Sequence, residues 1–442
     1  MHGADEGDSL LAMSARPQSR SQALQRPSLL ILNQYYWPGV ESTAKLLTEL
    51  AEKLAADYDV TVVTGAVEGA SGAEEALRNG VRVRRVRSTV YPRHNLALRG
   101  INYLTFFALA FRAGLGVARA DVVLCMSDPP FISAVAVAAA RRHRAPLLVV
   151  TQDVFPEIAV RLGRLDNRLL IGLLDRLVKL GLLRADCVVA IGGTMKRRLV
   201  DKGIDPRKIT VIPNWTDTDA VVPVTVENAW VREHGLSGCF IAMHSGNIGF
   251  AQDLDSLVRA ASFLRDLDDL RIVIIGSGAR HADLVALAAR LEVDSVRFLP
   301  YQPKGRLSES LSAGHVHVVG LASGLSGYVV PSRFYGVLAA GRPVIVAADP
   351  DAETVADVEA SGCGWVVPPG RPELLAAQIR HAYEHRDGLA KMGRRGREYV
   401  VAEFDRSVAL ARYRHAIETT LALSQGARAS GKAHPLSASS LR

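Results

Sequence analysis

The 442-residue sequence predicts an α/β protein of two Rossmann-like domains, each a doubly wound parallel sheet, facing each other across a cleft. Three observations predict this fold. Short apolar runs alternate with amphipathic stretches along most of the chain, which is typical of repeated strand–helix units. The length exceeds one ordinary hydrophobic core, since domains average about 150 residues. The repeat is interrupted at residues 215–228 and then starts again.

The N-terminal half begins with the apolar run SLLIL at Ser28, which predicts a buried strand. An amphipathic helix carrying Leu46, Leu47, Leu50 and Leu54 follows, and a second strand runs from Tyr58. Further strands are predicted to start at Asp121, Pro146, Asp186 and Ile209. The helices between them are predicted over 132–144, 168–185 and 193–203.

The C-terminal half repeats the same alternation. Its strands are predicted to start at Cys239, Leu270, Val296, His315, Pro343 and Gly364. Its helices are predicted over 254–264, 283–291, 332–339, 372–385 and, as a last long helix, 403–424.

These elements predict a domain organisation. Polar residues and Pro223 mark 215–228 as a linker between a first domain at 28–214 and a second domain at 229–402. The last helix, 403–424, is expected to pack back on the first domain. The Ser-, Arg- and Ala-rich ends, 1–27 and 425–442, are expected to be disordered tails, and the first has no signal-peptide core.

The net charge of +8 favours anionic partners, namely nucleotide phosphates or anionic lipid, although an even spread of arginine explains it equally well. No basic block interleaved with aromatics occurs, so no nucleic-acid partner is expected. The apolar run at 100–111 is shorter than the ~20 residues that span a bilayer. It fits either a core helix or an interfacial helix at an anionic membrane.

The four cysteines lie far apart, without metal-ligand spacing. They are expected to be buried free thiols in a reducing, cytoplasmic compartment, and no metal site is expected.

Two loops follow strands of the first half. Gly39, in YYWPGVES, lets the backbone approach a ligand closely, although a tight turn needs the same residue. In TQDVFPE, Asp153 and Glu157 follow an apolar strand, and ligands of such sheets bind beyond the carboxyl ends of strands. Their carboxylates fit sugar hydroxyls or positive charge developing at an anomeric carbon; the alternative is a helix cap.

Two loops of the second half are rich in glycine. Ser245, Gly246 and Asn247 open the loop SGNIG, whose backbone N–H groups suit a diphosphate or form an ordinary turn. The sequence GSGARH begins at Gly276, but His281 stands where the third glycine of a dinucleotide fingerprint belongs. A nicotinamide site is therefore disfavoured.

The segment GLSGYVVPSRFYGVLAAGRPV carries the most specific pattern. Ser326 and Gly327 precede a helix at whose start Ser332 can cap the backbone and Arg333 can reach an anion. An anion at a helix N-terminus beside an arginine is a favourable arrangement.

Eight motifs in order resemble a known family: YYWPGVES, TQDVFPE, IPNW, SGNIGFAQDL, IIGSG, FLPYQP, PSRFYGVLAAGRPV and the closing EF…YRHAIE. Together they resemble the GT-B glycosyltransferases of family 4. The branch they resemble most is that of the bacterial transferases of colanic-acid and O-antigen synthesis, often called WcaI-like or WbuB-like.

The resemblance implies retaining, metal-independent and cofactor-free transfer of a sugar from a UDP- or GDP-sugar. It implies that 28–214 is the acceptor-side domain and 229–402 the nucleotide-sugar domain. It implies that Asp153 and Arg333 are catalytic. The implied donor-phosphate residues are Gly39, Ser245, Gly246, Asn247, Ser332 and Arg333, and the implied base or ribose residues are Gly276, Leu299 and Pro300. The residues expected on the sugar or acceptor side are Glu41, Glu157, Gln252, Ser326 and Gly327.

The sequence also departs from the family pattern. Much of the family carries two glutamates separated by seven residues, the second holding the donor ribose, and Tyr328 and Gly336 stand there in this chain. The usual Arg and Lys of the phosphate loop are replaced by Asn247 and Gln252. Arg333 is therefore expected to supply the positive charge.

The implied acceptor is a growing polyprenyl-diphosphate-linked glycan at the inner face of the bacterial inner membrane. Three alternatives remain open at this point: a nucleotide-sugar 2-epimerase, a non-catalytic nucleotide-binding subunit of a transferase complex, and the disfavoured nicotinamide enzyme.

Overall fold

The computed structural model describes residues 26–39, 42–67, 74–91 and 96–429. Most of the two predicted tails and the predicted site residue Glu41 lie outside the described residues. Within them the chain forms two largely parallel sheets, one of eight strands and one of six, which confirms the predicted fold class.

Eight strands form the first sheet: β1 (Ser28–Leu32), β2 (Asp59–Thr64), β3 (Glu74–Arg78), β4 (Val81–Arg85), β5 (Val122–Met126), β6 (Leu147–Thr151), β7 (Cys187–Ala190) and β8 (Ile209–Val211). Their order is β3-β4-β2-β1-β5-β6-β7-β8, and all pairs except β3–β4 are parallel. Alternate residues of β1 enter different cores: Leu30 and Leu32 one, Leu29 and Ile31 the other. Both faces of this sheet are therefore buried, as its uninterrupted apolar strands require.

The β3–β4 hairpin is an element that the sequence analysis missed. Its two turn residues, Asn79 and Gly80, have φ values of 45° and 81°. Two successive positive φ values match the tight turn that an Asn-Gly pair favours in hairpins.

Six helices cover the first sheet: α1 (Ser42–Leu54), α2 (Leu96–Leu115), α3 (Ile132–His143), α4 (Glu157–Arg161), α5 (Arg168–Arg184) and α6 (Gly193–Asp201). Helix α3 packs against both α2 and α5. The apolar run at 100–111 lies within α2, which buries Phe106 and Ala110 but exposes Leu104 and Phe111. The run thus forms part of the core on one side only.

Six strands form the second sheet: β9 (Phe240–Ser245), β10 (Leu270–Ile275), β11 (Val296–Leu299), β12 (Val316–Gly320), β13 (Val344–Ala347) and β14 (Gly364–Val367). All are parallel, in the order β11-β10-β9-β12-β13-β14. Its helices are α7 (Ala229–Glu233), α8 (Leu254–Ala260), α9 (His281–Arg290), α10 (Leu307–Ser312), α11 (Arg333–Ala339), α12 (Glu353–Ser361) and α13 (Pro372–Glu384).

Two helices close the described chain, α14 (Arg386–Glu403) and α15 (Arg406–Ala429). The sequence analysis missed α14, which packs against α11. Helix α15 lies on the first domain, where the Tyr413 and Trp215 ring centroids are 5.8 Å apart.

The segment that joins the two domains is fastened to α14 and to the start of α15. The Arg397 guanidinium donates hydrogen bonds to the carbonyl oxygens of Thr218 at 2.7 Å and Val221 at 2.8 Å. The Thr218 hydroxyl donates to Asp405 at 2.6 Å. These bonds fix the path of the chain between the domains.

All four cysteines are free, and Cys125, Cys187 and Cys363 are buried. Among the described residues, no group of three or more His, Cys, Asp or Glu side chains is placed to hold a metal ion. In the same part of the chain, no helix combines the length and apolar character needed to cross a bilayer.

Candidate active site

The carboxyl edges of the two sheets face each other directly. Asp153, which follows β6, forms an isolated antiparallel bridge with Val329, which follows β12. The neighbouring Val154 N–H donates a hydrogen bond to the Tyr328 carbonyl oxygen at 2.9 Å. The cleft predicted from the strand-ending loops is therefore a closed seam at this point.

The loop after β9, residues 245–249, begins with a sharp change of backbone direction at Gly246, where φ is 151°. Three of its N–H groups already donate within the fold: Gly246 to Ile275 O, Ile248 to Ser277 O, and Gly249 to Gln252 Oε1, each at 2.9 Å. The prediction that this loop offers a row of free amides is therefore wrong. Only the Asn247 N–H lacks a hydrogen-bond partner within the described residues.

Two glycines after β10 let this loop lie where it does. A Cβ on Gly276 would stand 1.9 Å from the Gly246 carbonyl oxygen, and one on Gly278 would stand 2.3 Å from that of Ile248. Their φ values, 144° and 156°, also suit glycine. Gly276 thus has a packing role beneath the β9 loop.

Arg333, the first residue of α11, brings its guanidinium against this loop. Its Cζ lies 3.2 Å from the position of a Cβ on Gly246. Its Nη1 lies 2.6 Å from Nε2 of His244. Its Nε is buried and has no hydrogen-bond partner among the described residues.

Arg333 has no counter-ion in the part of the chain that the structure describes. Within the described chain, no carboxylate approaches its guanidinium to ion-pair distance. Burial lowers the pKa of Arg333 to about 10, so the side chain stays cationic at neutral pH. Burial, and then the Arg333 charge, hold the pKa of His244 well below its usual range, so this imidazole is neutral and accepts the Arg333 hydrogen bond. A half-buried cation without a neutralising carboxylate favours an anionic ligand.

Ser332 precedes α11 but makes no side-chain hydrogen bond to the helix, so the predicted cap is not formed. Ser326 is buried, and its hydroxyl has no partner among the described residues. Gly327 faces the first domain, because a Cβ there would stand 2.7 Å from Cγ2 of Thr194. Ser326 and Gly327 therefore belong to the contact between the domains.

Tyr328 stands where the family pattern has its first glutamate, yet its side chain belongs to the first domain's core. Its ring lies beneath two guanidinium groups of that domain, with Arg161 Cζ at 4.4 Å and Arg198 Cζ at 5.1 Å from the ring centroid. Its hydroxyl accepts a hydrogen bond from Arg161 at 3.1 Å. Tyr328 thus joins the domains and cannot take the glutamate's role.

Further contacts between the domains converge on the start of α6. The Thr194 hydroxyl donates to the Asp351 carbonyl oxygen at 2.6 Å, and the Met195 N–H donates to Glu353 Oε1 at 2.9 Å. Glu353, from the second domain, therefore caps a helix of the first.

The residues predicted on the first-domain side lie in different settings. Asp153 is exposed at the seam. Glu157 accepts a hydrogen bond from the buried Lys202 ammonium at 2.6 Å, and Asp175 binds the same ammonium. Gly39 donates its N–H to Tyr36 O at 2.8 Å within a turn. Only Asp153 of this group has a carboxylate exposed at the seam.

The remaining predicted residues, Gln252, Leu299 and Pro300, accept hydrogen bonds in or next to the β9 loop. Gln252 accepts the Gly249 N–H through its side chain. The Leu299 carbonyl oxygen accepts the Gly276 N–H at 2.9 Å, and that of Pro300 accepts the Gln302 side chain at 2.9 Å. Their backbone acceptors therefore already serve the fold.

Sequence analysis missed two residues beside Arg333. His244 ends a buried strand and looks like a core residue in the sequence. Tyr301 follows β11, is 54 % exposed, and lies close enough for its hydroxyl to oppose the burial effect on the pKa of Arg333. The available sequence signal was an aromatic residue directly after Pro300.

The two halves match two family profiles in order. Residues 43–215 match the "Glycosyl transferase 4-like domain", and residues 227–399 match "Glycosyl transferases group 1". The chain belongs to the GT-B glycosyltransferases of family 4. These matches confirm both the resemblance to the family and the expectation of a transferase.

Among relatives, the glycosyltransferase is similar to the probable glycosyltransferase WbjE of Pseudomonas aeruginosa, with 28 % identity over 65 % of this chain and 74 % of that protein. It is also similar to the putative colanic acid biosynthesis glycosyl transferase WcaI of Escherichia coli K12, with 28 % identity over 53 % of this chain and 57 % of WcaI.

Among solved structures, that of Anabaena HepE in complex with UDP superposes with a TM-score of 0.67 at 14 % identity, over 89 % of this chain and all of HepE. At this identity the likeness establishes the GT-B fold alone.

Proposed function

We propose that this glycosyltransferase moves a sugar, with retention of anomeric configuration, from a UDP- or GDP-sugar to a growing lipid-linked cell-surface polysaccharide. The observation that carries the proposal is Arg333, a half-buried arginine beside the Gly246 turn. Its Nε is buried without a hydrogen-bond partner, and it has no counter-ion among the described residues. The diphosphate of a nucleotide sugar supplies the anion that this position requires.

The leaving group gains negative charge as the anomeric bond breaks. Arg333 Nε and the Asn247 N–H both have unused donor capacity at this edge, and we assign the diphosphate oxygens to them. One fixed donor aimed at developing charge is worth about 3–4 kcal/mol in a transition state. Four further residues, Gly246, Ser245, Gly276 and Gln252, set the shape of the loop that holds Asn247.

Asp153 is proposed to act on the sugar. It is exposed at the seam, opposite Val329 of the second domain. A carboxylate there stabilises the positive charge that develops on the anomeric carbon. Contacts such as Val154 to Tyr328 bring the domains together and exclude water, which limits donor hydrolysis.

Tyr301 is proposed to contact the nucleobase. Its ring is exposed after β11, next to Leu299 and Pro300, the segment that the family resemblance assigns to the base. Aromatic faces stack favourably on planar rings.

The proposed mechanism uses no metal ion and no cofactor, because a guanidinium and an amide carry the leaving-group charge. The acceptor is proposed to be a polyprenyl-diphosphate-linked glycan at the inner face of the bacterial inner membrane. This rests on the family and on the name of WcaI, a putative colanic acid biosynthesis transferase.

The test is a panel of UDP- and GDP-sugars, incubated with and without a polyprenyl-diphosphate glycan and with a chelator present. Release of nucleotide that depends on the acceptor and persists in the chelator supports the proposal. Conversion of the donor without acceptor indicates a 2-epimerase. Nucleotide binding without turnover on any donor indicates a non-catalytic subunit.

A further inference from the structure

Helix α5 has two apolar sides, and only one of them is covered. Val178 and Leu182 are buried against the domain. Leu169, Leu173 and Leu180 are 87 %, 55 % and 42 % exposed. Intervals of four and seven residues place these three leucines on one side of the helix, opposite the buried pair. Leu183, 43 % exposed, extends the same stripe.

Helix α2 repeats this arrangement on the other side of α3. It buries Phe106 and Ala110, while Ile101, Leu104 and Phe111 are 42 %, 65 % and 43 % exposed. A soluble helix usually exposes its polar side, so outward apolar stripes on the two helices that flank α3 indicate a surface that a partner covers.

The charge of this surface is predominantly positive. Exposed arginines accompany both stripes and the end of α3 between them, namely Arg112, Arg141, Arg142, Arg144, Arg168 and Arg176. Neither α2 nor α3 contains an acidic residue. The single acid of α5, Asp175, is bound by Lys202. The surface therefore complements negative charge.

We propose that these outward sides of α2 and α5, which we call the α2/α5 face, dock the enzyme on a bilayer that contains anionic lipid. The exposed leucines, Ile101 and Phe111 enter the acyl boundary, and the arginines contact phosphate headgroups. The stripes lie on two helices separated by a third, with arginines interspersed. That layout suits a broad, uniformly anionic plane better than a single partner helix.

The α2/α5 face lies close to the candidate active site, so docking would bring the site to the membrane. This step of the proposal rests on the proposed function. Helices that follow parallel strands begin at the carboxyl edge of the sheet, so Leu169 and Ile101, near the starts of α5 and α2, lie at the end of the domain that bears Asp153. Docking through this face brings the seam next to the headgroup layer, where a lipid-linked acceptor presents its glycan.

The experiment is co-sedimentation of the full chain with vesicles of phosphatidylcholine, alone or mixed with phosphatidylglycerol. Wild type is expected to bind the mixed vesicles, and salt is expected to weaken the binding. The combined variant Leu169→Ser, Leu173→Ser, Leu180→Ser is expected to bind at least about tenfold more weakly, since burial of apolar side chains supplies part of the affinity. Leu423→Ser, at a 71 % exposed leucine of α15, is the matched control.

Equal vesicle binding by the triple variant, or no binding by wild type, overturns the proposal. So does a wild-type dimer in sedimentation equilibrium that the triple variant loses without any vesicle binding, because the face would then hold a second copy. Transfer to a short, detergent-free acceptor fragment separates this proposal from the proposed function. The triple variant should retain that transfer, whereas failure of wild type in that assay counts against the proposed function alone.

Discussion

Nη1 of Arg333 lies 2.6 Å from Nε2 of His244, so the guanidinium that faces the β9 loop rests on a neutral imidazole at the end of the neighbouring strand. A carboxylate in that place would neutralise Arg333. An imidazole whose pKa lies well below its usual range positions the cation and leaves its charge available.

Replacing His244 tests this relationship. His244→Leu removes the acceptor, and hydrogen bonds to charged groups contribute about 1.5–3 kcal/mol, so nucleoside diphosphate affinity should fall at least about tenfold. His244→Gln retains an acceptor and should lose much less. Calorimetric titration of both folded variants measures the difference, and equal affinities would remove His244 from the site.

The glycine beneath the β9 loop offers a second test. In Gly276→Ala the new methyl would stand 1.9 Å from the Gly246 carbonyl oxygen, so the loop must move. Donor KM should rise strongly while the far faces of the domain stay intact. Gly305→Ala, where a Cβ meets no atom within 4 Å, is the matched control and should behave as wild type. A wild-type KM in Gly276→Ala would show that the loop's position does not matter for the donor.

Asp153 should matter for turnover more than for nucleotide binding, because its proposed contact is with the sugar. Asp153→Ala is expected to lower kcat by at least about a hundredfold, in the range that positioned charges contribute, with nucleoside diphosphate affinity little changed. Steady-state kinetics and titration on the same preparation check both parts. An unchanged kcat would exclude Asp153 from the chemistry.

The buried Asp357 gives a prediction about stability and pH. Burial, and then repulsion from Glu353, raise its pKa from 3.8 to about 6, against the hydrogen bond from Tyr399. The folded state therefore binds a proton more tightly than the unfolded state. Ionised Asp357 therefore lowers the free energy of unfolding. This loss of stability is absent below the pKa of the unfolded state, 3.8, grows as pH rises from 3.8 to about 6, and is complete above about 6.

Asp357→Asn should remove this loss and raise the free energy of unfolding at neutral pH by about 1–3 kcal/mol. It should also flatten the pH dependence of stability across that window. Urea unfolding at acid and neutral pH measures both effects. A variant less stable than wild type at neutral pH would contradict the assignment.

Local patterns were sufficient to predict much of this molecule. The buried strands follow from runs such as SLLIL, and the loops after them included Asp153, the β9 loop and Arg333. The Asn79–Gly80 turn was a hairpin signal in the sequence that went unused. Helix α14 was missed because Gly388, Gly393 and Gly396 lie within it, and glycine disfavours helix.

Contacts between residues distant in sequence could not be predicted. Nothing in a buried strand shows that His244 meets a side chain 89 residues later. The Glu157 carboxylate is hydrogen-bonded to the ammonium of Lys202, which lies 45 residues later in the sequence. Likewise, Tyr328 turns toward the first domain because Arg161, 167 residues earlier, stacks on its ring. Each of these three contacts is set by the packing of helices and strands that are distant in sequence.

The most direct test of the central claim is a crystal structure of the enzyme with UDP or GDP bound. The account predicts a diphosphate oxygen within hydrogen-bond distance of the Arg333 guanidinium, next to the Gly246 turn and facing Asp153 across the seam. A diphosphate bound elsewhere, with the guanidinium of Arg333 still without an anion, would contradict it.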